Sequence, residues 1–234
     1  MDKGKFYAGL CVMVGLIVMG TMIPVAVNKY MSYTRTVDVK GLCEREVKAD
    51  KAIWPIVYNV MGDDLNVVYT QVDTKKKKVL EFLKKGGIED SEISVSAPRI
   101  SDKLANEYGG SRVYRYVGKS IITVYTSNVD KVLELMSKQA ELIKEGIVIN
   151  TSDNWENPTE FKFEGLNDLK PSMVEEATKN ARETAQKFAK DSDSELGKIK
   201  RASQGSFSIE NRDSNTPHIK RVRVVSSITY YLSN

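Results

Sequence analysis

Apolar and polar residues alternate along 36–47, and this pattern predicts a strand with one buried face. A second strand is predicted at 52–61, an apolar run in which Pro55 favours a position near the strand's start or on a sheet edge. The buried face of the first strand would carry Val37, Val39, Gly41 and Cys43. Further strands are predicted at 93–100, 113–126, 147–149, 160–163, 198–202, 207–209 and 220–232.

Two amphipathic helices are predicted between these strands. The first opens at Gly62 and ends at Gly86-Gly87, and the second covers 129–144 behind a capping Asn128. The first helix would bury Leu65, Val68, Val72, Val79 and Leu83, and the second Val132, Leu133, Met136, Ala140 and Ile143. In the last strand Val222, Val224, Ile228 and Tyr230 would face inward unless a bulge at Ser226-Ser227 breaks the alternation.

An alanine recurs every fourth residue late in the chain, at Ala177, Ala181, Ala185 and Ala189. Four-residue spacing keeps these side chains on one face of a helix, where a methyl group allows close approach to another element. Pro171, with Ser172 and Glu175 as a capping box, predicts where this packing helix begins. Gly197 is predicted to end it.

The amino terminus carries an uncharged run at residues 6–27, preceded by Lys3 and Lys5. As a helix this run would span about 33 Å, enough to cross a hydrocarbon core of about 30 Å. It is longer than the apolar region of a cleaved signal peptide and lacks a convincing cleavage site, so we interpret it as an uncleaved anchor. The predicted organisation is an anchor at 1–28 and one domain at 29–234, with the basic amino terminus in the cytoplasm and the domain outside.

Charge does not indicate a nucleic-acid partner. The chain has 35 basic and 31 acidic residues, a net charge of +4, with both signs interspersed. The densest basic run, Lys75–Lys78 with Lys84 and Lys85, falls in a predicted amphipathic helix, where a solvated polar face explains it. The sequence therefore predicts no nucleic-acid binding.

Residue types that carry catalysis or bind metals are scarce. Cys11 lies in the leader and Cys43 stands alone in the body, which excludes a disulfide framework within the body. His218 is the one histidine and falls in a polar segment, so neither a zinc centre nor a triad can be assembled around it. The sequence predicts no catalytic, cofactor-binding or metal-binding residues.

Several short stretches, taken in order, resemble the SIMPL-domain family of YggE-like bacterial envelope proteins. They are Val37–Gly41 with Glu44, Leu83–Ile93 through Gly87-Ile88, Tyr116–Val124 with Asp130, the alanine helix with Leu196–Ile199, and Ile228–Leu232. The likeness covers nearly all of residues 34–234. It implies an α+β fold, with an antiparallel β-sheet packed with about three helices after the transmembrane helix, and a periplasmic domain on the bacterial inner membrane.

The resemblance implies association rather than catalysis: self-assembly into a homo-oligomer, or binding of an envelope protein partner, in tolerance of envelope stress. The segments 101–112 and 204–220 are the predicted contact loops. Two other classes of function stay open at this point. One is a thiol-dependent hydrolase or redox enzyme that uses Cys43, and the other is a carrier that binds a small ligand in a cleft lined by Trp54 or Trp155.

Overall fold

The computed structural model describes residues 3–105, 114–149 and 156–233. The predicted turn at Gly109-Gly110, most of the loop 101–112 and Trp155 lie outside these residues. The chain forms two compact units, and each is described by itself. The first unit comprises Met1–Arg45, Asp168–Ser208 and Val222–Asn234, and the second comprises Glu46–Asn167 and Ile209–Arg221.

The described chain combines helices with antiparallel strand pairs, which confirms the α+β class. The helices are α1 Lys3–Thr34, α2 Leu65–Lys85, α3 Val129–Ser137, α4 Ala140–Lys144 and α5 Leu166–Asp191. The strands are β1 Thr36–Lys48, β2 Lys51–Gly62, β3 Ile93–Val95, β4 Arg99–Asp102, β5 Tyr116–Thr126, β6 Glu160–Lys162, β7 Glu195–Gln204, β8 Ser208–Asn211 and β9 Ile219–Ser233.

The apolar leader is helical throughout its described length. Within α1, the stretch Gly9–Val27 is long and apolar enough to cross a membrane. Its length and composition fit an anchor and a signal sequence equally.

In the first unit α5 packs on a sheet in which β9 lies between β1 and β7. The predicted alanine ladder is confirmed, because all four of its methyl groups are buried. Ala181 and Ala185 pack in one cluster with inward residues of β1 and β9, among them Val39 and Ile228. The alternation along β9 is unbroken through Ser226 and Ser227, so no bulge interrupts it there.

Both predicted ends of the alanine helix are wrong. The helix begins at Leu166 and includes Pro171, and the Ser172 hydroxyl donates back to the Leu169 carbonyl instead of capping a first turn. The turn before Leu166 is held by Asp50, whose carboxylate accepts the Gly165 amide at 2.8 Å. This contact spans more than a hundred residues, so no local signal reveals it.

At its other end α5 stops at Asp191, and Gly197 lies in β7. Asp193 takes the left-handed conformation, with φ 49°, and the Ser194 amide donates to the Ala189 carbonyl at 2.9 Å. This is the geometry that most often uses glycine to end a helix. An aspartate occupies this position here, so the next glycine along the chain, Gly197, predicts an end that is too late.

In the second unit β5 and β2 form the centre of a five-stranded sheet ordered β3-β5-β2-β6, with β4 also on β5. The β2–β5 ladder is antiparallel and unshifted from Ala52 opposite Thr126 to Gly62 opposite Tyr116. On one side of β2, β6 pairs only with Lys51–Ile53. Pro55 lies beyond these paired residues, so its missing amide removes no hydrogen bond to β6. The core includes Trp54, Ile56, Tyr58, Leu83 and Ile122.

Two details of the helices in this unit differ from the predictions. Leu65 is the first residue of α2, after the N-cap Asp64, and it is exposed. The predicted helix 129–144 is two helices, and the break at Lys138-Gln139 changes which residues face inward. Beyond the break, Leu142 is buried in place of the predicted Ala140 and Ile143. Before the break, in α3, Leu135 is buried although it was not among the residues predicted to face inward.

Candidate functional site: the β7 edge

The sheet of the first unit is positioned by a close contact between β1 and α5. A Cβ atom built on Gly41 would lie 1.8 Å from the Ala177 carbonyl oxygen and 2.6 Å from the Ala181 backbone nitrogen. Only glycine on the strand, facing alanine on the helix, permits this backbone approach.

Polar side chains also join β1 to α5. Asn180 donates from Nδ2 to the Leu42 carbonyl at 2.8 Å. The Arg45 guanidinium binds the Ser172 hydroxyl at 2.9 Å and the Glu176 carboxylate at 2.8 Å. The same arginine, through its hydrogen bond, lowers the pKa of Glu176. Side chains from the helix therefore reach β1, the strand at one end of the sheet order.

β7 stands at the other end of the sheet order and pairs, within the described residues, only with β9. Every residue from Lys198 to Gln204 is exposed. An edge strand of this length offers a row of backbone donors and acceptors to another chain.

The outward donors of β7 follow from its register. Gly205 donates its amide to the Val225 carbonyl at 2.8 Å, and the ladder continues with Ser203 opposite Ser227. Since hydrogen-bonded and non-bonded pairs alternate in antiparallel sheets, the amides of Ala202 and Gln204 point away from β9. These two residues are the centre of the candidate site.

The edge is basic as well as exposed. Lys198, Lys200 and Arg201 are solvent-exposed, and the Lys200 ammonium lies 5.5 Å from the centre of the Tyr231 ring. Beside the edge, Arg201 and Ser203 line a shallow cavity of about 320 Å³ with Asp38 and Thr229. An acidic strand or loop fits this surface better than a basic one does.

Cys43 points inward, as predicted, and is 1% exposed. Burial, and after it a hydrogen bond with Glu176, raises the pKa of the Cys43 thiol. A reactive cysteine needs the opposite, a lowered pKa and access to solvent. His218 lies in the second unit, where the centres of its ring and of the Phe161 ring are 6.0 Å apart.

We expect Cys43 in the full chain to resist iodoacetamide at neutral pH, because the thiolate is disfavoured and the sulfur is enclosed. Labelling measured by mass spectrometry on a Cys11→Ser background should stay below a tenth of the rate of the denatured chain. Denaturation should restore full labelling. Rapid modification of the folded protein near pH 7 would instead support the thiol enzyme.

The other candidate groups do not converge on a site. Among the described residues no three His, Cys, Asp or Glu side chains are grouped closely enough to hold a metal ion. Trp54 is 2% exposed, so it does not line an open cleft, and Trp155 is not among the described residues. In the basic run of α2, Lys76 and Lys77 pair with Asp73, and Lys78 pairs with Glu145.

The predicted contact segment 204–220 forms β8 and the tip of a hairpin that leads into β9. Asp213 holds this tip by accepting the amides of Asn215 and Thr216 at 2.8 and 2.7 Å. Hydrogen bonds from Thr216 and then Arg212 lower the pKa of Asp213. Sequence reasoning missed the neighbouring β7 edge, although the high share of polar residues at 198–204 is a signal for it.

A family model described as "SIMPL: Protein of unknown function (DUF541)" matches residues 37–227. The match covers β1 through most of β9 and therefore includes the β7 edge. No curated protein matches the chain.

Proposed function

We propose that this chain, which belongs to the SIMPL (DUF541) family of unknown function, acts by association through β7. The partner is a further copy of the chain or another protein of the bacterial envelope, and the consequence is tolerance of envelope stress. The observation that carries the proposal is the exposed edge at Ala202 and Gln204, whose backbone donors face away from β9.

Residues 6–27 would anchor the chain in the inner membrane, which places this edge in the periplasm. Lys3 and Lys5 favour a cytoplasmic amino terminus, because basic residues remain on that side. α1 extends to Thr34 and β1 starts at Thr36, so a single residue joins the helix to the sheet. Anchored copies would therefore meet with their sheets at similar heights above the membrane.

Association through β7 should depend on the outward amide of Ala202. Ala202→Pro removes this donor without removing a bond to β9, since proline is tolerated where a strand's amide faces solvent. We expect light scattering of the full chain in detergent to show an oligomer for the wild type and a single chain for Ala202→Pro.

Ala202→Thr is the matched control, because it keeps the amide and favours a strand. It should retain the mass of the wild-type oligomer. A single-chain mass for the wild type would overturn self-association, and an oligomer that survives Ala202→Pro would overturn β7 as its interface.

A further inference from the structure

A cleft of about 370 Å³ opens in the second unit between α2 and the segment that joins β3 to β4. α2 contributes Tyr69, Val72, Asp73 and Lys76, the joining segment contributes Ser96, Ala97 and Pro98, and Ser120 of β5 lies at the base. This volume is at the lower end of the range for sites that bind small molecules.

The cleft exists because β3 and β4 do not follow β5 without interruption. Val95 lies opposite Ile122 and Arg99 lies opposite Lys119. The three residues 96–98 therefore lie opposite only two residues of β5, 120 and 121. Ser96 makes the last backbone bond before the interruption, to the Ile121 carbonyl at 3.0 Å. Pro98 has no amide to offer, and the extra residue bends the segment away from β5.

Apolar groups form the walls of this cleft and remain open to solvent. The Tyr69 side chain is 58% exposed and Val95 is 45% exposed. Ser120 beneath them is 2% exposed, and the buried Tyr58 hydroxyl donates to the Val72 carbonyl at 3.1 Å. The base of the cleft is therefore fixed by internal hydrogen bonds, while an aromatic face and branched apolar groups are available above it.

One cation in the cleft can change partners at little cost. Asp73 pairs with both Lys76, at 2.5 Å, and Lys77, at 3.0 Å. Lys76 lines the cleft, and Lys77 is not among the residues that line it. When Lys76 turns toward a ligand, Lys77 still neutralises Asp73, so no carboxylate is left unpaired.

We propose that this cleft binds a small organic carboxylate with an aromatic body. The carboxylate pairs with Lys76 and accepts a hydrogen bond from the Ser96 hydroxyl, while the ring stacks on Tyr69 and contacts Val95 and Pro98. The Asp73 carboxylate also lines the cleft, and an anion fits beside it because Lys77 still neutralises Asp73 while Lys76 pairs with the ligand. The proposal does not depend on association through β7, because all of these residues lie in the second unit.

The test uses 2-naphthylacetate as the probe and 2-naphthylacetamide as its neutral counterpart. Each is titrated by saturation-transfer NMR into the full chain in lipid nanodiscs, with empty nanodiscs as the blank. We expect the acid to bind at least tenfold more tightly than the amide. Lys76→Gln should weaken binding of the acid at least tenfold and remove the preference over the amide.

Lys75→Gln is the matched control, since it removes a neighbouring lysine of α2 that is not among the residues that line the cleft or pair with Asp73, and it should change the affinity less than twofold. Tyr69→Ala should weaken both probes, and Tyr69→Phe should not. Absence of binding by the wild type, or equal affinities for Lys76→Gln and Lys75→Gln, would overturn the proposal.

Discussion

Gly41→Ala is expected to destabilise the first unit by about 3 kcal/mol or more, near the upper end of the cost of overpacking. The added methyl group would lie 1.8 Å from the Ala177 carbonyl oxygen and 2.6 Å from the Ala181 nitrogen. Both are backbone atoms of α5, so no change of rotamer relieves the clash and the helix must move away from the sheet. Urea unfolding, monitored by the resistance of α5 to protease, measures the loss of stability.

Gly146→Ala provides the control for Gly41→Ala. Gly146 has φ +76°, and an added Cβ there meets nothing within 4 Å. Its substitution costs only backbone strain, roughly 1–2 kcal/mol. Equal losses of stability in the two variants would show that β1 and α5 are not in the close contact described.

Ala181→Leu is expected to cost about 2–3 kcal/mol, since it inserts three carbons where the alanine is fully buried. Helix propensity does not explain such a loss, because leucine is nearly as good a helix former as alanine. Thermal unfolding monitored by circular dichroism measures the change in stability.

Glu183→Leu introduces the same side chain on the exposed side of α5 and should change stability by less than about 0.5 kcal/mol. If Ala181→Leu changed stability as little as Glu183→Leu, the alanine ladder would not be the surface through which α5 packs on the sheet.

The buried face of α5 could be predicted from the sequence because helical spacing alone determines which side chains share a face. The inward residues of β1 and β9 could be predicted for the same reason, with a period of two in place of four. Val39, Cys43 and Val222 are all buried as their alternation requires. These predictions need no knowledge of what covers the face.

The ends of α5 and the break before α4 could not be predicted because they depend on distant or atypical partners. Asp50 fixes the turn that precedes α5, and Asp193 takes a conformation usually reserved for glycine. At Lys138-Gln139 a short interruption rotates the following turn. A single helical period applied to 129–144 therefore selects Ala140 and Ile143 instead of the buried Leu142.

The inward position of Cys43 was predictable, whereas the candidate site was not. Which amides of β7 face outward depends on its pairing with β9, and that pairing shifts register between Leu196 and Ile199 and again before Arg201. Residue types at 198–204 indicate exposure but do not reveal the direction of an amide. The cleft beside α2 likewise depends on one extra residue between two short strands.

Site-specific cross-linking in intact cells tests association through β7 most directly. A photo-reactive phenylalanine analogue replaces Ala202 in the full-length protein, and a second variant carries it at Glu183 on the exposed side of α5. We predict a product larger than one chain from position 202 and none from position 183. Mass spectrometry of the product identifies a second copy or an envelope protein. Absence of any product from position 202 would contradict the account.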